Sequence, residues 1–289
     1  MWFFGERRET RVQTVNSIDE LKKWVRESRG SGKTIGLVPT MGFLHEGHLS
    51  LIQKAKAEND LVLISIFVNP AQFGPNEDFD RYPRDFERDR KLAEQAGADL
   101  IFAPDSSEVY PRESSISITA GAMGEVLCGA TRPGHFDGVL KVVVKLFHMA
   151  EPDRAYFGQK DAQQLAIIES LVEDFNFPME IRRGETIRED DGLAKSSRNV
   201  YLTEKERLEA PTIKKALDLG KNLVLNQEDP VPQMTELLRT RISGRIDYIE
   251  LLSYPTLDRE IKEDAILAVA IQFERARLID NIIFNVKGN

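Results

Sequence analysis

The run "LVLISIFV", residues 61–68, restricts this chain more than any other segment. It is apolar and β-favouring almost throughout and leaves no polar face, so a strand built from it must be covered on both sides. That pattern predicts a parallel sheet with a helix layer on each face. The neighbouring segments supply the other parts. "TIGLVP" (34–39), "ADLIFAP" (98–104), "RAYFG" (154–158) and "MEIRRGETI" (179–187) read as further strands, with a short one predicted at "SISIT" (115–119). Helical patterns alternate with them at 47–60, 84–97, 138–152 and 161–175. In the last, Leu165, Ile168, Leu171, Val172 and Phe175 recur at helical spacing. Repeated strand–helix–strand units predict an α/β, Rossmann-like parallel sheet with helices on both faces.

Beyond residue 188 the grammar changes. Helices are expected at 203–225 and 230–242, and strands at 246–254, 265–273 and 276–286. This predicts two domains: 1–184, Rossmann-like and ligand-binding, and 185–289, a smaller C-terminal α+β domain. The segment "REDDGLAKSSRN" (188–199) sits at the seam.

Composition sets the outer limits. The 289 residues carry a net charge of −8, which disfavours non-specific nucleic-acid binding while leaving room for a local anion site. No uncharged apolar stretch is long enough for a membrane span. The opening "MWFFGERRETR" lacks a positive region ahead of its apolar run and does not read as a secretory signal; it is expected to be a tag or a local addition. A single cysteine, Cys128, excludes an intramolecular disulfide, suits a reducing cytoplasm and reads as a small buried hydrophobe.

The chemistry begins after the strand at 34–39. "PTMGFLHEGH" places His45 and His48, two of only four histidines, where that strand turns into a helix. In an open parallel sheet, ligands bind beyond the carboxyl ends of the strands. Gly42 and Gly47 permit close backbone approach, and the helix starting near Gly47 offers unpaired N–H groups to an anion such as phosphate. Taken alone, such a pair also suits ordinary packing or surface exposure. Zinc would need further ligands at the right spacing, and no cysteine or third histidine supplies one.

"MGFLHEGH" (41–48) resembles the H-x-G-H signature of the nucleotidyltransferase superfamily, and "AKSSRN" (194–199) is similar to its K-M-S-K-S-like loop. With "SIFVNPAQFGPNEDFDRYPRDFERD", "CGATRPGHFDGV", "AYFGQKDAQQL" and "DGLAKSSRNVYL", the chain resembles the pantoate–β-alanine ligase family (pantothenate synthetases), in order from about residue 34 to 202. Lys195 stands where that family more often has methionine.

The resemblance implies ATP-dependent joining of (R)-pantoate to β-alanine through pantoyl adenylate, with Mg2+ accompanying ATP, in a cytoplasmic homodimer that binds neither nucleic acid nor membrane. It makes His48, His45 and Lys160 catalytic, with His48 the proton donor. ATP would meet Met41, Gly42, Phe43, Leu44, His45, Glu46, Gly47 and His48, then Gly158, Gln159, Lys160 and Asp161, then Ile187, Lys195, Ser196, Ser197 and Arg198. Asp161 is also a natural N-cap for the helix at 161–175. Gln72, Gln164 and Asn69 would bind pantoate, with Gln72 also serving β-alanine. Pro39, Met41 and Phe67 would wall the pocket, and Asp89 would touch the metal indirectly. Arg132 and His135 fall near the site without a role, and His148 is a helix residue without chemistry. Closure of the second domain would bring the seam loop onto the triphosphate. The same fold also admits a transferase that leaves the nucleotide on its product, or a nucleotide sensor. A class I aminoacyl-tRNA synthetase fits less well, because the chain is acidic and shows no tRNA-binding domain.

Overall fold

The computed structural model describes residues 12–75 and 77–287, so the opening segment lies outside the described residues. Six parallel strands form the main sheet: β1 (Gln13–Val15), β2 (Ile35–Thr40), β3 (Leu61–Ile66), β4 (Leu100–Phe102), β5 (Arg154–Gly158) and β6 (Glu180–Gly184). Their spatial order is β1-β4-β3-β2-β5-β6. The helices are α1 (Ile18–Gly30), α2 (Glu46–Glu58), α3 (Phe86–Ala96), α4 (Ser106–Val109), α5 (Leu127–Thr131), α6 (His135–Ala150) and α7 (Ala162–Asp174).

The buried strands divide their side chains between two cores by alternation. Leu37, Leu63, Leu100 and Phe102 join a core with α1, α6 and α7. Val38, Val62, Ile64 and Ile101 join the opposite core with α2 and α3. The two-sided burial expected of 61–68 is thus met.

Two local expectations fail. Residues 115–119 form no strand, and Ile116 is 81% exposed. The place beside β4 is taken by β1, in the register Gln13↔Leu100 to Val15↔Phe102. Asp161 ends a 3-10 turn and directs no cap bond into α7.

The second unit holds α8 (Glu204–Glu209), α9 (Thr212–Leu225), α10 (Pro230–Arg241) and an antiparallel sheet of β7 (Arg245–Ser253), β8 (Asp264–Gln272) and β9 (Arg277–Asn285). Strand β8 is apolar on both faces. Leu267, Val269 and Ile271 pack with the helices of this unit, whereas Ile266 and Ala268 pack with Leu127, Ala162 and Ala166 of the first. The second sheet is therefore sandwiched, and its position is fixed by apolar burial against α7.

Candidate active site

The strand order reverses at β2. The chain runs β2, β3, β4 to one side, then returns to place β5 on the other side of β2. Such a switch point leaves a crevice at the carboxyl ends. The turn after β2 carries His45 and His48; the turn after β5 carries Lys160.

The first turn is built by its own hydrogen bonds. Gly42 and Phe43 have positive φ, 81° and 49°. Asp89, reaching in from α3, accepts the Phe43 N–H at 2.6 Å and the Leu44 N–H at 2.7 Å. A Cβ on Gly42 would stand 3.0 Å from that carboxylate. Burial raises the Asp89 pKa against the pull of the two amides. Asp89, expected to touch the metal indirectly, here clamps the turn, with each of its oxygens accepting a backbone N–H.

Helix α2 then opens with an unusual cap. His45 Nδ1 accepts the Gly47 N–H at 3.2 Å, and His48 Nδ1 accepts the His45 N–H at 3.3 Å. This is a capping box in which two imidazoles replace the usual hydroxyl and carboxylate. Gly47 suits this turn, since a Cβ there would press to 3.0 Å from the His45 ring. The rings lie with centroids 4.1 Å apart. With each Nδ1 accepting, each neutral ring carries its proton on Nε2. Burial, then the nearby Lys160, Lys195 and Arg88, lowers the His45 pKa to about 4. Burial, then His45, holds His48 well below its ordinary value.

Two expectations are affected. The amides of Phe43, Leu44, His45, Gly47 and His48 are already paired, so the helix end does not present them to an anion. His48, partly buried and with its pKa held low, would meet a substrate as a neutral hydrogen-bond donor.

Three cations converge from two segments, each beside a carboxylate. Lys160 Nζ is 3.7 Å from Asp161, Lys195 Nζ is 3.3 Å from Glu46, and Arg198 Nε is 2.9 Å from Asp78. Burial works against Asp78, yet Arg198 holds its carboxyl below the ordinary range. Ser196 caps its own 3-10 turn, and Ser197 Oγ donates to the Phe43 carbonyl at 3.3 Å. The seam loop is thus docked on the histidine turn.

A third wall is amide-rich. Asn69 is only 1% exposed and fully used: Nδ2 donates to Gln72 Oε1 at 2.9 Å and to the Gly138 carbonyl at 3.0 Å, while Oδ1 accepts from Ala71 N–H and Tyr110 OH. Asn69, expected to bind pantoate, lines the same cavity as Gln72 and also orients it, leaving the Gln72 amide nitrogen as a donor. Arg132 and His135, given no role above, both reach the Gln72 carbonyl oxygen, at 3.3 and 2.8 Å. Their shared place in "TRPGHF" was the available signal.

One cavity of about 230 Å3 gathers Met41, His45, Gly47, His48, Gln72, Lys160, Asp161, Gln164, Ile187 and Lys195 through Arg198, with Pro39, Phe67 and Gly158 in its wall. A second, of about 360 Å3 between the two units, shares Lys160, Gln164, Arg132, His135 and Arg198 with it. Not all expected nucleotide contacts are brought there. Leu44 is fully buried in core; Gly42 and Phe43 line a separate groove with Asp89 and Phe86. Glu46 and Gln159 are absent from the lining: Glu46 stays exposed beside Lys195, and the Gln159 carbonyl is bonded to Asn281. His148 packs on Phe177, away from the site.

Comparison with known proteins agrees with this geometry. A family model described as pantoate-beta-alanine ligase matches residues 13–283. The pantothenate synthetase of Lysinibacillus sphaericus (strain C3-41) is 55% identical over 281 residues, covering 96% of this chain and 99% of that one. The crystal structure of pantothenate synthetase from Thermus thermophilus superposes with a TM-score of 0.88 at 42% identity, covering 94% of this chain and 99% of the other. That of the Francisella tularensis pantoate-beta-alanine ligase, complexed with beta-gamma ATP and beta-alanine, gives 0.80 at 34% identity, covering 96% and 99%. On sequence, fold and the arrangement at the switch point alike, the chain belongs to the pantoate–β-alanine ligase family.

Proposed function

We propose that this site condenses (R)-pantoate with β-alanine in two steps. A pantoate carboxylate oxygen attacks the α-phosphorus of ATP; the bond from that phosphorus to the bridging oxygen breaks, giving pantoyl adenylate and pyrophosphate. The β-alanine nitrogen then attacks the pantoyl carbonyl, loses a proton, and AMP leaves. The observation that carries this reading is the convergence of His45, His48, Lys160, the 195–198 loop, Gln72 and Gln164 on one cavity in a member of this family.

The difficulty in the first step is bringing an anion to a polyanion. Neutral Nε2–H donors on His45 and His48 answer it without moving a proton, by strengthening their bonds as charge builds on the α-phosphate oxygens. Lys160, Lys195 and Arg198 would exchange their carboxylate partners for phosphate oxygens. Gln72, held by Asn69 at one end and Arg132 and His135 at the other, would donate to pantoate without ion-pairing the nucleophile.

Among the described residues no group of three His, Cys, Asp or Glu side chains forms a metal cage. We propose that the Mg2+ accompanying ATP is carried on phosphates and water, its usual mode with nucleotides. Asp161, exposed at the cavity and free of capping duty, is the carboxylate we assign to meet it. The ion, when bound, supplies neutralisation of phosphate charge.

The reading keeps the two-domain division at 184/185, a cytoplasmic location and a homodimer; sedimentation velocity checks the last. The decisive experiment is ATP–pyrophosphate exchange. Exchange should require pantoate, and AMP should appear only after β-alanine is added. Exchange without pantoate, or a product retaining the nucleotide, would point to a transferase instead.

A further inference from the structure

The turn that carries Lys160 is held from the other unit. Asn281, on β9, donates from its side-chain amide to two consecutive carbonyls: Nδ2 lies 3.0 Å from the Gln159 oxygen and 2.9 Å from the Lys160 oxygen. Its neighbour Asp280 is buried and accepts two bonds from Arg188, at 2.6 and 2.9 Å. Arg188 in turn donates to the Gly192 carbonyl at 3.0 Å, inside the 187–195 hairpin that delivers the seam loop. Asp280 also accepts the Asn281 N–H at 2.8 Å. Two adjacent residues of one strand thus fix both phosphate-facing segments, and that strand is itself paired with β8 along its whole length.

A lysine side chain is flexible, so fixing the backbone that bears it narrows where its ammonium can reach. The Lys160 turn is not anchored through Asp161, whose expected cap bond is absent. We infer that Asn281 is a positioning residue for adenylate formation, which sets the Lys160 turn against the Lys195–Arg198 loop while Asp280 fixes that loop's hairpin. The inference rests on the reading of Lys160 as a phosphate-facing cation.

The test is a double-mutant cycle in the full-length protein. Asn281→Ala and Asn281→Leu, the second with the same branching and heavy-atom count, are made in the parent and in Lys160→Ala, and pantoate-dependent exchange is measured. A displacement of about 1 Å costs on the order of 10²-fold, so kcat should fall about 10- to 100-fold, with the KM for pantoate changed less than about threefold. In the Lys160→Ala background the same substitutions should cost less than about threefold more, because residues acting as a unit are non-additive. A folding defect would act equally in both backgrounds. ATP binding with Mg2+ in the same proteins closes the cycle if turnover of Lys160→Ala is too slow to follow. Equal losses in both backgrounds, or a parent loss under about threefold, overturn the inference. Absence of exchange in the parent overturns the ligase reading beneath it, and this inference with it.

Discussion

At the scale of single residues, the site depends on groups that act through others. Asp89 illustrates this. Its carboxylate accepts two backbone N–H groups at the only point where two consecutive described residues have positive φ. Asp89→Asn would turn an NH2 donor toward one of those amides. Leaving a buried donor unsatisfied costs about 1–3 kcal/mol, so the variant should unfold at lower denaturant and lose exchange activity together. Unchanged stability would show that the clamp does not hold the turn. The histidines give a second expectation. In the folded protein, burial lowers His45 and His135 to about 4, whereas an unfolded histidine titrates near 6.5. Between those values the unfolded chain binds more protons. Stability should therefore be full above about pH 6.5 and fall toward pH 4, by about 1.4 kcal/mol per pH unit for each such group. Denaturant melts at pH 5 and 7 check the sign; equal stabilities would show that the rings are not held neutral.

Elements explain which features the sequence revealed. The "LVLISIFV" run fixed the sheet class because a strand without a polar face has one kind of environment. The H-x-G-H turn was legible because rare residues stood at a strand end. Helix α1 carries an equally readable signal, since Ser17 and Glu20 form a capping box ahead of Leu21 and Val25, but it stands beside stronger apolar runs. The hydrogen bonds of Asn69, Asp89 and Asn281 could not be read from sequence, because they join segments far apart in the chain. The cap of α2 separates two tasks carried by one residue. His45→Ser retains an N-cap oxygen, so α2 should lose at most about 1 kcal/mol. It removes the Nε2–H donor, so exchange should fall about 10²- to 10³-fold. A variant that is unstable but, per folded molecule, fully active would mean that His45 only caps.

For the whole molecule, the question is how a chain of net charge −8 admits a triphosphate. Every cation described at the seam has a carboxylate beside it, and two of the pairs differ in kind. Lys195–Glu46 is exposed on its acidic side, with 61% of the Glu46 side chain accessible; Arg198–Asp78 is enclosed, at 26% and 22%. An exposed pair contributes about 0–1 kcal/mol, whereas breaking an enclosed one strands a charge at greater cost. Glu46→Gln should leave stability unchanged and let ATP bind at least as tightly, because Lys195 loses a competitor for phosphate. Asp78→Asn should destabilise the seam. Ser197 is bonded to the Phe43 carbonyl, and Tyr201 OH to the Arg81 carbonyl, so the loop is docked before any nucleotide contact is invoked. On the proposed reading, polyanion binding proceeds by an exchange of partners with the loop already in place. Small-angle scattering with and without a pantoyl-adenylate analogue should superpose. A contraction on binding would restore the closure expected from the seam's place in the sequence, and would mean that these pairs break and re-form as the domains move.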